Sequence, residues 1–306
     1  MKHFSTAAVS RVRAKLKHPL ASRFGPLDTL SAASSDISTF RDSYFTPQLP
    51  ILLPRGHFDD LPAIQKWFSQ PGSSSPVASL DYSYLQKYSD CPVPLELTTS
   101  TAGDTTFRRL HTPLDLFLEW TKTATRTSNT GPITTSLYLA QCQLLDLPPL
   151  LRADIPTPPI VSTAGRGDIY DTNIWIGIPP TYTPLHRDPN PNLFVQMAGR
   201  KVVRLLAPQT GLGVFQRVRE GIAREHGDVS GGGASSRGEE MMQGVEREAL
   251  EREVWGDEES AIGEGEIDGF EAELDAGDGI FIPMGWWHSI KGVGEGVTAS
   301  VNWWFR

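Results

Sequence analysis

Thr183-Pro184-Leu185-His186-Arg187-Asp188 is the stretch on which the fold turns. In an extended strand, residues i and i+2 point to the same face. His186 and Asp188 then project together as an imidazole and a carboxylate, donors that a divalent first-row metal accepts. A third donor must come from elsewhere. Trp286-Trp287-His288 offers one, on a later segment that follows Gly277-Asp278-Gly279. Each half has an ordinary alternative. An H-x-D occurs by chance in many chains, and a histidine among tryptophans is more often a core residue with a satisfied hydrogen bond.

Placement on successive β segments favours the joint reading. Two imidazoles and one carboxylate on one side of a metal leave positions open, the facial triad of non-haem Fe(II) oxygenases. Around the motif the grammar is that of short strands between turns. Asn173–Ile178 reads as one strand. Asn192–Met197 and Lys201–Leu206 flank Ala198-Gly199-Arg200, a hairpin signal. Gly279–Ile282, Trp287–Lys291 and Val297–Phe305 follow. This spacing predicts an all-β barrel or jelly roll, in a chain that is mainly β (α+β) once the helices upstream are included. Within the hairpin, Asn192, Phe194 and Gln196 share one face. Lys201 stands among Val202, Val203, Leu205 and Leu206, so it either snorkels outward or meets an anion inside the barrel. In the last strand Thr298, Ser300, Asn302 and Trp304 alternate with Val297, Ala299, Val301 and Trp303. Asn302 thus falls on the more polar face; its ordinary alternative is a surface residue on an edge strand.

Upstream, Pro50–Pro54 reads as a short strand. Leu61–Phe68, Leu80–Tyr88 and Thr112–Thr121 read as helices, the last with Thr112 as its cap and Pro113 at the first helical position. Leu137–Leu145 is apolar enough for a buried strand. The folded domain is expected over residues 40–306. Residues 213–270 are set apart as an acidic, Gly-rich and flexible insertion with one helix, Val245–Val254.

The net charge of −8 over 306 residues conceals unlike segments. Residues 1–27 hold six Lys or Arg and no acid, whereas residues 220–273 hold seventeen Asp or Glu against four Arg. The remaining body is near neutral and has no basic stripe suited to nucleic acid. The insertion is either a solvated loop or a lid or docking surface for a basic partner. Residues 1–39, basic and Ser-rich, contain a weakly amphipathic stretch, Ala7–Phe24, and have the composition of a transit peptide or of an N-terminal helix. Cytoplasm or nucleus is expected, with the mitochondrion as the alternative that the basic start allows. No run of about 18 apolar residues exists to span a membrane. Cys91 and Cys142 cannot alone make a zinc site and give no reason to expect an oxidising compartment.

The segments TPLHRDPNPNLFVQMAGRKVVRL, ELDAGDGIFIPMGWWHSI and SVNWWF, with PILLPRG, LPAIQKW and LYLAQ upstream, resemble the JmjC (cupin-type) oxygenases, within them the small single-domain hydroxylase group. Roughly residues 40–212 and 270–306 carry the resemblance. It implies a double-stranded β-helix (a jelly-roll or cupin barrel) with N-terminal helices, and Fe(II) held by His186, Asp188 and His288, with 2-oxoglutarate as cosubstrate. Lys201 would pair with the distal carboxylate. Thr183, Asn192 and Tyr138 would hydrogen-bond the cosubstrate, and Trp175 and Asn302 would line its pocket. The long acidic segment departs from the family pattern, and so does the end of the chain directly after the last strand, which leads to the expectation of a monomer. The activity implied is O2-dependent hydroxylation of a protein side chain. Histone lysine demethylation by the same chemistry is the alternative, though the chain shows no Cys/His zinc cluster or reader segment. A silent barrel used for binding has no physical need for the triad and Lys201 together.

Overall fold

The computed structural model describes residues 24–34, 36–72, 77–101, 104–124, 133–226, 243–256 and 269–306. Nearly all of the Ala7–Phe24 stretch, with the transit reading attached to it, and the Gly231–Gly233 tract lie outside these residues. The chain opens with β1 (Phe24–Pro26), α1 (Ile37–Phe40), β2 (Ile51–Leu52), α2 (Pro62–Lys66), β3 (Phe68–Ser69), β4 (Ser79–Leu80) and α3 (Tyr82–Leu85). It continues through β5 (Pro92–Thr101), β6 (Asp104–Pro113), α4 (Leu114–Ala124), β7 (Ile133–Gln143), α5 (Pro149–Ala153) and α6 (Pro159–Thr163). The barrel strands β8 (Ile169–Gly177), β9 (Thr181–Arg187), β10 (Asn192–Ala198) and β11 (Arg200–Leu206) follow. After α7 (Pro208–His226) and α8 (Gly244–Trp255) come β12 (Gly269–Leu274), β13 (Gly279–Ile282), β14 (Trp287–Val293) and β15 (Thr298–Phe305).

Thirteen of these strands make two facing sheets, β1-β12-β11-β14-β9 and β2-β13-β10-β15-β8-β7-β5-β6, and β3 pairs with β4 alone. The expected jelly-roll barrel, a double-stranded β-helix, is therefore present. Gly199, at φ 61°, makes the tight turn between β10 and β11, a conformation a residue without Cβ adopts freely. Strand alternation sorts the side chains. Leu193, Val195, Met197, Val301 and Trp303 pack outward under the N-terminal helices, against Trp67, Phe117, Leu118 and Leu151. Phe194, Val203, Leu205, Leu274 and Ile280 meet between the sheets. The alternate polar residues of β10, β11 and β15 share that interior, which is why a site can exist there.

The outer face of the smaller sheet is covered by α7 and α8, where Leu185, Leu206 and Trp287 meet Val214, Phe215, Val218 and Leu250. Burial of each large apolar side chain contributes roughly 1.5–3 kcal/mol. α8 matches the expected Val245–Val254 helix. The 19-residue α7 does not match the loop expected there. Gly211 and Gly213 read as helix breakers, yet Gly211 is where the helix meets the sheet. A Cβ at Gly211 would sit 2.2 Å from the Trp287 ring. Packing against that ring outweighs weak propensity.

Three further expectations shift. Folded chain begins before residue 40: β1 pairs in parallel with β12, and Leu27 and Leu30 are buried. Strand β6 runs through Pro113, so α4 starts at Leu114 and Thr112 is not its cap. The hairpin β5–β6, which widens the larger sheet, was not expected at all.

Candidate active site

His186 on β9 and His288 on β14 are direct cross-strand partners. Their ring centroids lie 4.1 Å apart, and His288 Nε2 stands 3.6 Å from Asp188 Oδ2. Ligand atoms of His186, Asp188 and His288 all lie within 4.8 Å of one another. The three residues that the strand reading singled out are thus brought together, although the chain between Asp188 and His288 includes both covering helices.

Each ring is oriented from behind. His186 Nδ1 lies 2.8 Å from Pro184 O, and His288 Nδ1 lies 3.2 Å from Trp286 O. A carbonyl only accepts, so each Nδ1 carries the proton and each Nε2 lone pair is free for a metal. Burial, with the neighbouring His186 ring, pulls His288 down to about 4 despite the opposing pull of Asp188. The ring is then neutral near pH 7, the form that ligates. Burial alone would raise Asp188, but the His288 and His186 rings and two hydrogen bonds outweigh it and hold the carboxyl below its usual range. Those bonds come from Trp304 Nε1 at 2.8 Å and Asn192 Nδ2 at 3.0 Å. Asn302 Nδ2 in turn donates to Asn192 Oδ1 at 3.1 Å. Two imidazole Nε2 atoms beside an ionised carboxylate form a donor set suited to a divalent first-row cation.

Thr183 reaches this interior through an irregularity. His186 opposes His288 and Thr183 opposes Ile290, so Pro184 and Leu185 together face Ser289 alone. Such a bulge re-aims the chain on its far side. Plain alternation would put Thr183 and His186 on opposite faces. The bulge turns both inward, because Ile290 packs with the barrel interior. Pro184, lacking an N–H, suits the unpaired position.

A second polar group lies deeper in the barrel. Lys201 on β11 is buried. Its Nζ donates to Ser300 Oγ at 2.7 Å and approaches Tyr138 Oη at 3.4 Å. Burial pushes its pKa down to about 7, and burial also pushes the Tyr138 phenol up. The Tyr138 ring lies 6.1 Å from that of Trp175. Trp175 Nε1 and Asn302 Oδ1 are buried and have no hydrogen-bond partner among the described residues. A buried cation beside two hydroxyls, with orphaned polar atoms nearby, fits a small anionic guest better than a closed core. Every residue expected in the site therefore borders one interior. Two contributors were missed: Ser300, which holds Lys201, and Trp304, which holds Asp188. Both lie on the polar face of the last strand, and alternation was the signal that could have found them.

The cupin-like domain family matches residues 37–306. A protein of Xenopus tropicalis named lysine-specific demethylase 8 is 26% identical over 271 residues, covering 87% of this chain and 50% of the relative. Its namesake in Danio rerio is 32% identical over 178 residues, covering 56% of this chain and 38% of the relative. The Drosophila melanogaster protein named Jumonji C domain-containing protein 5 is 24% identical over 249 residues, 80% of this chain and 52% of that one. The chain thus spans about half or less of the length of these curated relatives. With a match from α1 to the last strand, a double-stranded β-helix and a His-Asp-His cluster at its centre, the chain belongs to the cupin-like domain family.

Proposed function

We propose that this chain is an Fe(II)- and 2-oxoglutarate-dependent oxygenase that hydroxylates a protein side chain. One observation carries the reading: a His-Asp-His cluster and the buried amino group of Lys201 share the interior of one barrel. His186, Asp188 and His288 would hold the metal. Lys201, supported by Ser300 and Tyr138, would take the distal carboxylate of the cosubstrate. Thr183 and Asn192 would hydrogen-bond it, while Trp175 and Asn302 line the space with the polar atoms that lack partners.

Iron and 2-oxoglutarate, held there, would supply the chemistry that oxidises a C–H bond. The chain's own residues place and insulate it. Pro184 O and Trp286 O keep the imidazole protons on Nδ1. Trp304 and Asn192 keep Asp188 ionised and aimed. Phe194 and Trp286 pack with the barrel interior and would exclude water from it.

The names of the relatives favour a second reading, removal of a methyl group from lysine, which starts from the same attack on a C–H bond. One assay separates the two. Protein loaded with Fe(II) and 2-oxoglutarate is given peptides captured by the His186→Ala variant. Succinate should form while the peptide gains the mass of one oxygen atom. Loss of a methylene's mass with release of formaldehyde would favour demethylation. Absence of succinate with every captured peptide would overturn both.

A further inference from the structure

We propose that α8, part of the segment that sets this chain apart by its acidity, is a positioning element of the metal site and acts through Trp255. Trp255 Nε1 donates to Ser289 Oγ at 2.8 Å. Ser289 Oγ donates in turn to Thr183 O at 2.8 Å. Ser289 follows His288 directly, and it is the single residue that faces the Pro184–Leu185 bulge. Strand alternation points His288 into the barrel and Ser289 out towards α8. A bulge interrupts the backbone ladder, and here a side chain bonds a carbonyl at its edge. That carbonyl belongs to Thr183, one residue before the Pro184 whose own carbonyl orients His186. The relay therefore runs from α8, past one metal ligand, to the bend that aims the other.

Trp255 is itself clamped. Arg204 lies over its ring at 4.4 Å and Lys291 at 5.1 Å. Arg204 Nη1 donates to Val254 O at 2.5 Å, and Lys291 pairs with Glu251 at 2.7 Å. Both cations rise from strands of the smaller sheet, so the last turn of α8 is fixed over β11 and β14. A solvated loop has no use for such contacts. Ser289 is fully buried, so water cannot replace the indole donor cheaply. Among the described residues, the hydrogen-bond and cation partners of Trp255 are Ser289, Arg204 and Lys291, none of them a metal ligand or a proposed cosubstrate residue. It is a positioning residue, and it acts through Ser289.

This inference rests on the metal-site reading above, and its test separates the two. Co(II) is titrated into the full-length protein against a competing chelator, and the visible spectrum of the bound ion is recorded. Trp255→Phe keeps the ring and its cation contacts but removes the donor. Ser289→Ala removes the middle of the relay. Each variant should weaken Co(II) affinity by about tenfold, the lower end for an outer partner of a metal ligand, and alter the Co(II) bands. The double variant should lose no more than Ser289→Ala alone, because groups acting in one chain are not additive. Wild-type Co(II) affinity and spectrum in Trp255→Phe, or fully additive losses, would overturn the inference and leave the metal site standing. Failure of the unmodified protein to bind Co(II) would overturn the metal-site reading itself. A variant with a lowered melting temperature but unchanged affinity counts against positioning, since a purely structural role moves only the former.

Discussion

The two polar regions of the barrel interior differ in how complete they are. Around the metal ligands, Nδ1 of both histidines and Oδ2 of Asp188 have partners in the chain: two backbone carbonyls, an indole and an amide. Around Lys201 the partners among the described residues are hydroxyls, and Trp175, whose ring lies 6.1 Å from that of Tyr138, has a buried Nε1 with no partner among them. The first region is finished before anything binds. The second is finished by what binds. Order at the metal end is invested in aim, whereas the lysine end stores an unmet demand for negative charge, which selects the guest.

The contrast breaks most severely if the finished end tolerates losing a ligand. His288→Ala should abolish stoichiometric metal binding and reduce turnover by more than the roughly 10–100-fold typical of an outer partner. Metal analysis beside a succinate assay checks this, and retained metal would remove His288 from the site. The next test is at the unfinished end. Lys201→Met should raise the 2-oxoglutarate requirement roughly 10–100-fold, the worth of a charge-assisted hydrogen bond, with Co(II) affinity unchanged. It should also change the pH dependence of the ligand-free protein. The folded lysine titrates near 7 against an ordinary 10.5. Between those values the unfolded chain holds a proton that the folded one has released. Stability of the unmodified protein should therefore rise with pH over that window, by up to about 1.4 kcal/mol per pH unit. Chemical denaturation at several pH values should show Lys201→Met with a flatter profile. The smallest effect belongs to Trp304→Phe, which removes one of two donors to Asp188. Metal affinity should fall about tenfold or less, with the 2-oxoglutarate requirement little changed. An equal loss in both would show that the two ends are not separate.

The metal end was largely legible in the sequence. H-x-D at strand spacing and a histidine on a later strand carry their own geometry, because period-two alternation is local. The polar face of β15 was legible for the same reason, yet the work of Ser300 and Trp304 was not. Their partners, Lys201 and Asp188, sit on other strands, and no local pattern states which strands meet. The Thr183 assignment had no support in alternation, which a bulge reverses; Pro184 was the one local hint. Tertiary packing also hid α7, where the glycine that weakens the helix admits Trp287. Hairpin β5–β6 was hidden by its many Thr and Ser residues, which read as loop, and by the cap-like Thr112-Pro113 at its end.

The three residues of β1 have a consequence outside chemistry. Without them β12 would be the rim of its sheet, with a row of backbone N–H and C=O groups open to any passing chain, the usual start of edge-to-edge aggregation. Phe24–Pro26 covers that rim in parallel register, and it ends in proline, which has no N–H to offer a further strand. A chain trimmed to begin at residue 40 would keep every metal ligand and lose its cover. Its failure would then show as turbidity in the tube, with the site itself intact.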